Sequence, residues 1–281
     1  MFTIVIPSYN RADLLLETTF KYLVKVIKDL SKVNIDILVN DNISIEHLNK
    51  YLMYFPYNDH LHLRQMPPNV KSIGGVRNWI RQTYTGNVLM MDDDITGIHH
   101  KCNDKETKEL MDDNNFITWV NDAFTRTLAS GASMWGVQLF DNPFFLRGNE
   151  WTITTKLSYV NGSFTGIILP DAQDIRTDID HFEDYLFSIL HWLKDGVVVK
   201  YSGVCLKTKP FNTDGGICEQ KGGMGSRREE AFFNSKMLHL WFPELLSVKY
   251  SKKYKIDNIR LNTQAKWSSD LSSRGGLYLT R

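Results

Sequence analysis

Two kinds of patterned segment alternate along the chain. Residues 2–6 form a short β-branched run closed by Pro7 and Ser8, and 14–30 then carry apolar residues at helical spacing. "NIDILVNDN" repeats the pattern, with an apolar strand over 35–39 ending on Asn40, Asp41 and Asn42, and "IEHLNKYLMYF" continues as helix. "LHLRQ" predicts a third strand, "GGVRNWIRQTY" a helix entered through two glycines, and "NVLMM" a fourth, wholly apolar strand. Strands that alternate with helices and read as continuously apolar predict a parallel sheet covered on both faces, so the fold class is α/β. In such sheets ligands bind beyond the carboxyl ends of the strands. The polar clusters at 8–11, 40–42 and 92–94 all stand at predicted strand ends and are expected to converge.

After Thr96 the pattern loosens. "HHKCNDKETKELMDDNN" reads as a polar loop, 116–128 as helix, "SMWGVQLF" as strand and "YVNGSFTGIILP" as strand and turn. "HFEDYLFSILHWLKDG" predicts an amphipathic helix, "VVVKYSGVCLKT" a buried strand, "NTDGGICEQKGGMGSR" a glycine-rich loop and "REEAFFNSKMLHLWFPELL" a closing helix. The expected organisation is one domain over 1–246 followed by an extension over 247–281.

At 281 residues and 42% hydrophobic content the chain can build a substantial core. No run of about 18 apolar residues is present, which excludes an ordinary membrane-spanning helix. The N-terminus opens on a strand rather than a basic leader, so the expected location is cytoplasmic, the host cytoplasm if the chain is viral. Cys102, Cys205 and Cys218 are odd in number and far apart, which argues against a disulfide framework or a structural zinc site. Nothing in the pattern calls for an obligate protein partner. Net charge is +1 but unevenly spread: eight basic residues face two acidic ones over 247–281, leaving 25 basic and 30 acidic before it. An acidic body with a basic tail fits a polyanionic partner.

The chemistry concentrates at Asp92, Asp93 and Asp94. Two carboxylates spaced by one residue share a face of an extended segment and can reach one hard divalent cation. Mg²⁺ or Mn²⁺ there would neutralise charge on a diphosphate leaving group. The competing reading is a surface turn. Gly74 and Gly75 allow close backbone approach, and Arg77 with the start of its helix suits an anion. Glu183 and Asp184 open the later helix, where they either complement its dipole or supply a general base. His99, His100 and His239 are candidate metal ligands whose alternative is a surface or core role.

Together these residues resemble the GT-A glycosyltransferases, a Rossmann-like fold with a mostly parallel central sheet and helices on both faces. "TIVIPSYNR" is similar to their first strand and donor loop, "LVNDN" to the second strand, and "GGVRNWIRQTYTGNVLMMDDD" to their glycine turn, Arg-Asn helix and metal-binding acidic motif. "FEDYLF" resembles the acceptor-side acidic motif. The resemblance implies a nucleotide-diphosphate sugar donor with Pro7, Ser8, Tyr9 and Arg11 lining the nucleotide pocket and Asp41 meeting the base. Gly75, Arg77 and Asn78 would lie near ribose or diphosphate, and Asp92 and Asp93 would belong to the donor pocket. Asp92 and Asp94 would hold the metal, with Asn212 and Asp214 as candidates for a third ligand, and Glu183 or Asp184 would face the acceptor.

"MWGVQLF" and the "NTDGG" loop extend the likeness to the TET/JBP-associated glycosyltransferases of bacteriophages and some eukaryotes, connected with glycosylation of hydroxymethylated pyrimidines such as hydroxymethylcytosine in DNA. The lysines of the tail could meet DNA phosphates, and Tyr250, Tyr254 and Trp267 could stack on an extruded base. A glycan acceptor, a nucleotidyltransferase and an inert nucleic-acid-binding module are the alternatives carried forward.

Overall fold

The computed structural model describes residues 2–110, 115–177, 179–209, 224–252 and 256–273. Strands β1 (Phe2–Pro7), β2 (Asn34–Val39), β3 (Leu61–Gln65) and β4 (Gly86–Met91) alternate with helices, as the apolar runs predict. The first helical stretch joins α1 (Ala12–Leu15), a π-helical turn (Leu16–Phe20) and α2 (Lys21–Val26). Next come α3 (Ile45–Tyr54) and α4 (Ile73–Thr83). Beyond β4 lie β5 (Ile95–Lys101), β6 (Thr107–Glu109), α5 (Asn115–Ala129), β7 (Met134–Gln138), β8 (Ile153–Thr154) and β9 (Phe164–Leu169). The last elements are α6 (Glu183–Asp195), β10 (Val199–Thr208), α7 (Met224–Trp241), β11 (Leu246–Ser251) and β12 (Ile256–Leu261).

Among the described residues ten strands form one sheet in the order β3-β2-β1-β4-β9-β7-β10-β5-β6, with β8 on β10. The first four are parallel. Because β9 runs antiparallel to both β4 and β7, it enters from the edge where β4 ends, Phe164 lying beside Met91. Seven of the ten strands therefore share one direction in a mixed sheet. A buried antiparallel strand is as continuously apolar as a parallel one, so the hydrophobic pattern does not distinguish them. The segment expected as a polar loop after Thr96 instead forms the β5–β6 hairpin on the sheet edge, where outward positions are free to be polar.

Alternate residues of each strand feed two cores. Ile4, Ile6, Leu89 and Met91 face α1, α2, α3 and α5, while Val5, Val88 and Met90 face α4, α6 and α7. Such two-sided burial favours apolar residues at nearly every strand position, which is the physical origin of the apolar runs; a buried exception, Asp36 of β2, accepts from Tyr84 OH at 2.6 Å. The basic C-terminal segment begins inside β11. Leu246 and Ile259 of the β11–β12 hairpin pack with Leu238, Phe242 and Leu245 in the second core. Among the described residues no helix is long and apolar enough to cross a membrane.

One buried polar group ties the second core to pH. His191 on α6 has no exposed surface; its Nδ1 lies 2.9 Å from Ser133 Oγ, and Ser133 N–H donates to Asp195 at 2.8 Å. Burial pushes the His191 pKa down to about 4. The folded chain thus keeps this imidazole neutral where the unfolded chain, at about 6.5, protonates it. The His191 contribution to stability is therefore full above pH 6.5 and falls by about 3 kcal/mol as the pH drops towards 4. Denaturant melts across that range should show a smaller loss in His191→Gln.

Candidate active site at the carboxyl end of the sheet

The aspartate cluster at the end of β4 is held by its backbone. Asp92 N–H donates to Ser163 O at 2.9 Å, and Lys209 N–H donates to Asp94 O at 3.0 Å. Thr18 Oγ1 donates to Asp93 O and Thr19 Oγ1 to Asp92 O, each at 2.7 Å, and Ile95 N–H donates back to Thr19 Oγ1 at 2.9 Å. An α-helix would rotate two successive threonines about 100° apart; both lie within the π-helical turn, a distortion that recurs at functional sites.

The three carboxylates then part company. Asp93 is buried; Ser8 Oγ donates to it at 2.8 Å and Arg11 Nη1 lies 3.4 Å away. Burial pushes its pKa up to about 6 against the pull of Arg11 and Ser8. Asp94 is half-buried, with Oδ1 enclosed and unpartnered, and burial together with the charges of Asp92 and Asp93 pushes it up to about 7. Asp92 is half-buried beside them. Asp93 is thus neutralised from within, while Asp94 keeps a buried oxygen that lacks a donor.

The loop after β1 is built around Tyr51 of α3, whose hydroxyl meets Ser8 Oγ at 2.7 Å and accepts from Arg11 N–H at 3.0 Å. Asn10 between them has a left-handed backbone, φ 54°. Pro7 closes β1, Tyr9 is half-buried in the turn, and Asp41 stands half-buried at the end of β2, its carbonyl accepting from Gln65. Neighbouring Asn40 is buried with Oδ1 unpartnered. The cluster after β1 meets the aspartates through Ser8 and Arg11, while Asn40, Asp41 and Asn42 stand at the end of the neighbouring strand β2.

Helix α4 takes a different part from the one its glycines imply. Ser72 caps it, accepting from Gly75 N–H at 3.1 Å. Gly74 N–H donates to the Asp180 carboxylate at 3.2 Å, and a Cβ on Gly74 would fall 2.6 Å from Ile179 O. The anion at this helix start is therefore the protein's own. Asn78 uses both ends of its amide on Thr177, donating to its carbonyl at 2.7 Å and accepting from its N–H at 3.0 Å. Gly74 and Asn78 thus moor the segment that leads into α6.

That segment ends in Phe182, left-handed at φ 68°, a conformation rare for a bulky residue and often found where a site imposes it. Glu183 and Asp184 follow with unlike surroundings. Asp184 accepts from Tyr159 OH at 2.6 Å, Asn161 Nδ2 at 3.3 Å and Tyr185 N–H at 2.9 Å. Glu183 is buried against Arg77, Nη2 to Oε1 3.3 Å. Burial raises both carboxyls, with Arg77 pulling each back. Burial draws the Arg77 guanidinium down, but Glu183, Asp92 and Asp184 more than reverse this. Its head lies against Gly162, where a Cβ would come 1.4 Å from Nη1. One turn on, Arg81 stacks over Phe187 at 3.7 Å and donates to Arg77 O at 3.4 Å, fixing α4 against α6.

Sequence reasoning missed Thr18, Thr19, Tyr51, Tyr159, Asn161, Gly162 and Ser163. The threonine pair inside an apolar helix and the "VNGS" turn before a buried strand were the visible signals. His99 lies beside Asp141 and Thr107 and His239 beside Leu246 O, while His100 stands 3.6 Å from Glu150 with Nδ1 buried and without a hydrogen bond. Trp267 donates to Leu193 O at 3.0 Å and lies 3.5 Å from where a Gly196 Cβ would stand, so it packs on the body. Tyr250, Lys249, Lys252, Arg260 and Lys266 are exposed; Tyr254, Lys253, Lys255, Asn212 and Asp214 lie outside the described residues.

Among the described residues no three His, Cys, Asp or Glu side chains group as a ready-made metal centre. The donors present still fit a hard cation: Asp94 offers an enclosed, unpartnered oxygen with Asp92 beside it, and Mg²⁺ or Mn²⁺ fills its remaining positions with water and phosphate oxygens.

No protein-family model matches the chain, and no curated protein matches it by sequence. Among solved structures a mycobacterial protein matches 96% of this chain and 85% of its own at TM-score 0.52 and 9% identity. It shares the fold. TarS of S. aureus (residues 1–349) is similar over 86% of this chain and 75% of its own, at TM-score 0.48 and 14% identity. The mannosyltransferase PcManGT from Pyrobaculum calidifontis, solved with GDP-Man and Mn²⁺, is similar over 72% and 56%, at TM-score 0.47 and 10% identity.

The unequal surroundings of the two α6 acids make a direct test. Asp184→Ala strands three donors and is expected to cost about 2–3 kcal/mol of unfolding free energy, whereas Glu183→Gln should stay within about 1 kcal/mol of the parent in denaturant melts.

Proposed function

We propose that this chain is a metal-dependent glycosyltransferase that moves a sugar from a nucleotide-diphosphate sugar to a hydroxyl acceptor. One observation carries the reading: a buried, unpartnered oxygen of Asp94 stands with Asp92 at the end of a central strand, near a buried carboxylate, Glu183, that is held by Arg77 and not by the hydrogen bonds that fix Asp184.

In this reading the loop from Ser8 to Arg11, with Asp41, receives the nucleoside. Asp92 and Asp94 would hold Mg²⁺ or Mn²⁺, which would supply charge neutralisation on the departing diphosphate. The acceptor oxygen bonds to the anomeric carbon as the bond from that carbon to the diphosphate oxygen breaks, and the electron pair leaves with the nucleoside diphosphate. Glu183 takes the acceptor's proton. Asp184 orients the loop through Tyr159 and Asn161 rather than touching substrate. Arg77 is the cation available to the diphosphate.

For the acceptor we propose the hydroxyl of a 5-hydroxymethylpyrimidine in DNA. Support comes from the sequence motifs and from Lys249, Lys252 and Arg260, exposed on the β11–β12 hairpin, where they can neutralise phosphates.

Incubation with nucleotide sugars, Mn²⁺ and hydroxymethylated DNA, followed by mass spectrometry of the digested nucleosides, is expected to show a glycosyl mass gain and a nucleoside diphosphate. Glu183→Gln should lower the rate by about 100-fold or more while donor binding persists. Transfer to a glycan without any gain on DNA removes the DNA acceptor. Pyrophosphate release from a nucleoside triphosphate would replace the transferase reading with nucleotidyl transfer.

A further inference from the structure

We infer that Arg77 is shared between two partners in succession: it clasps Glu183 while the donor site is empty and turns to the donor's diphosphate when that site fills, so the acceptor-side base is freed only after the donor has bound. The inference rests on the transferase reading above and adds an order of events to it.

As the structure stands, Glu183 is poorly placed to accept a proton. It is 8% exposed and lies 3.3 Å from a guanidinium; burial raises its carboxyl and Arg77 pulls it back, so the clasp offsets part of the gain in basicity that burial provides and occupies the oxygen that would meet the acceptor. The clasp is a single contact from a group with five N–H donors. Arg77 feels the charge of Asp92 as well as those of Glu183 and Asp184, so it stands between the donor-side and acceptor-side acids. A planar fork that makes one bond to a carboxylate can make two to a diphosphate, which also carries more charge. The exchange therefore favours the donor.

The surroundings allow Arg77 to move without dismantling the site. The α6 lead-in stays moored to α4 by the two Asn78–Thr177 bonds and the Gly74–Asp180 bond. Asp184 keeps its hydrogen bonds to Tyr159 and Asn161. Arg81 holds the α4 backbone at Arg77 against α6. What keeps the guanidinium in its present place is the absence of a side chain at Gly162, since a Cβ there would overlap Nη1, Cζ and Nη2. These are the far end of a flexible side chain, so Gly162→Ala can be accommodated by displacing the head of Arg77 away from Glu183.

The test measures the rate at which carbodiimide and an amine modify Glu183, by peptide mass spectrometry, with and without UDP or GDP plus Mn²⁺, alongside calorimetry of the same samples. Where calorimetry shows binding, Glu183 modification is expected to rise at least about fivefold while Asp184 is unchanged. Gly162→Ala should modify at the faster rate with no nucleotide present. Bound nucleotide with unchanged or slower modification of Glu183 overturns the inference and leaves the transferase reading intact, as does a Gly162→Ala protein, folded by circular dichroism, that reacts as slowly as the parent. Failure of both diphosphates to bind removes the transferase reading and the inference with it.

Discussion

Three adjacent carboxylates at the end of a buried strand cannot share one environment, because each ionised group raises the cost of the next. The fold resolves this by separating them. Asp93 turns inward to Ser8 and Arg11, which in turn are set by the Tyr51 hydroxyl on α3. Thr18 and Thr19 take up the backbone carbonyls around it. One acid therefore becomes a structural pin joining the β1 loop, the π-helical turn and the end of β4. Its two neighbours stay outside that pin, and Asp94 keeps an enclosed oxygen without a donor.

The same division of labour recurs across the site. Of the acids opening α6, Asp184 is held by Tyr159 and Asn161 and Glu183 is left against Arg77. On α4, Asn78 and Gly74 hold the neighbouring segment while Arg77 faces the crevice acids. Each functional candidate sits beside a chemically similar residue that does the structural work. The antiparallel β9 makes this possible: it enters from the site's edge, bringing 159–163 under both acidic pairs.

Much of this was legible in the sequence, and the residues show why. Two-sided burial makes Phe2–Pro7, Asn34–Val39 and Gly86–Met91 predominantly apolar, with Asp36 a buried exception, and each is followed by polar residues at the same edge. That pattern reports a covered sheet and the place of its crevice. It does not report strand direction, so β9 read as one more strand, and the edge hairpin β5–β6 was hidden by its polar outward positions. Glycine followed by Arg-Asn reads as an anion site in one dimension; in three, Asp180 and Thr177 arrive from a hundred residues away to fill it. Tertiary partners of that kind leave no local trace. The choice between Glu183 and Asp184 likewise depended on Tyr159 and Asn161, which no spacing rule connects to them.

The central claim is that Asp93 is bound into the fold while Asp92 and Asp94 remain for a cation. Titration of Mn²⁺ in the presence of a nucleoside diphosphate, read by electron paramagnetic resonance of the free ion, tests it most directly. The parent protein should bind the ion, and Asp94→Asn should weaken binding by about tenfold or more without loss of folded structure. Mn²⁺ binding by Asp94→Asn as tight as that of the parent would contradict the account.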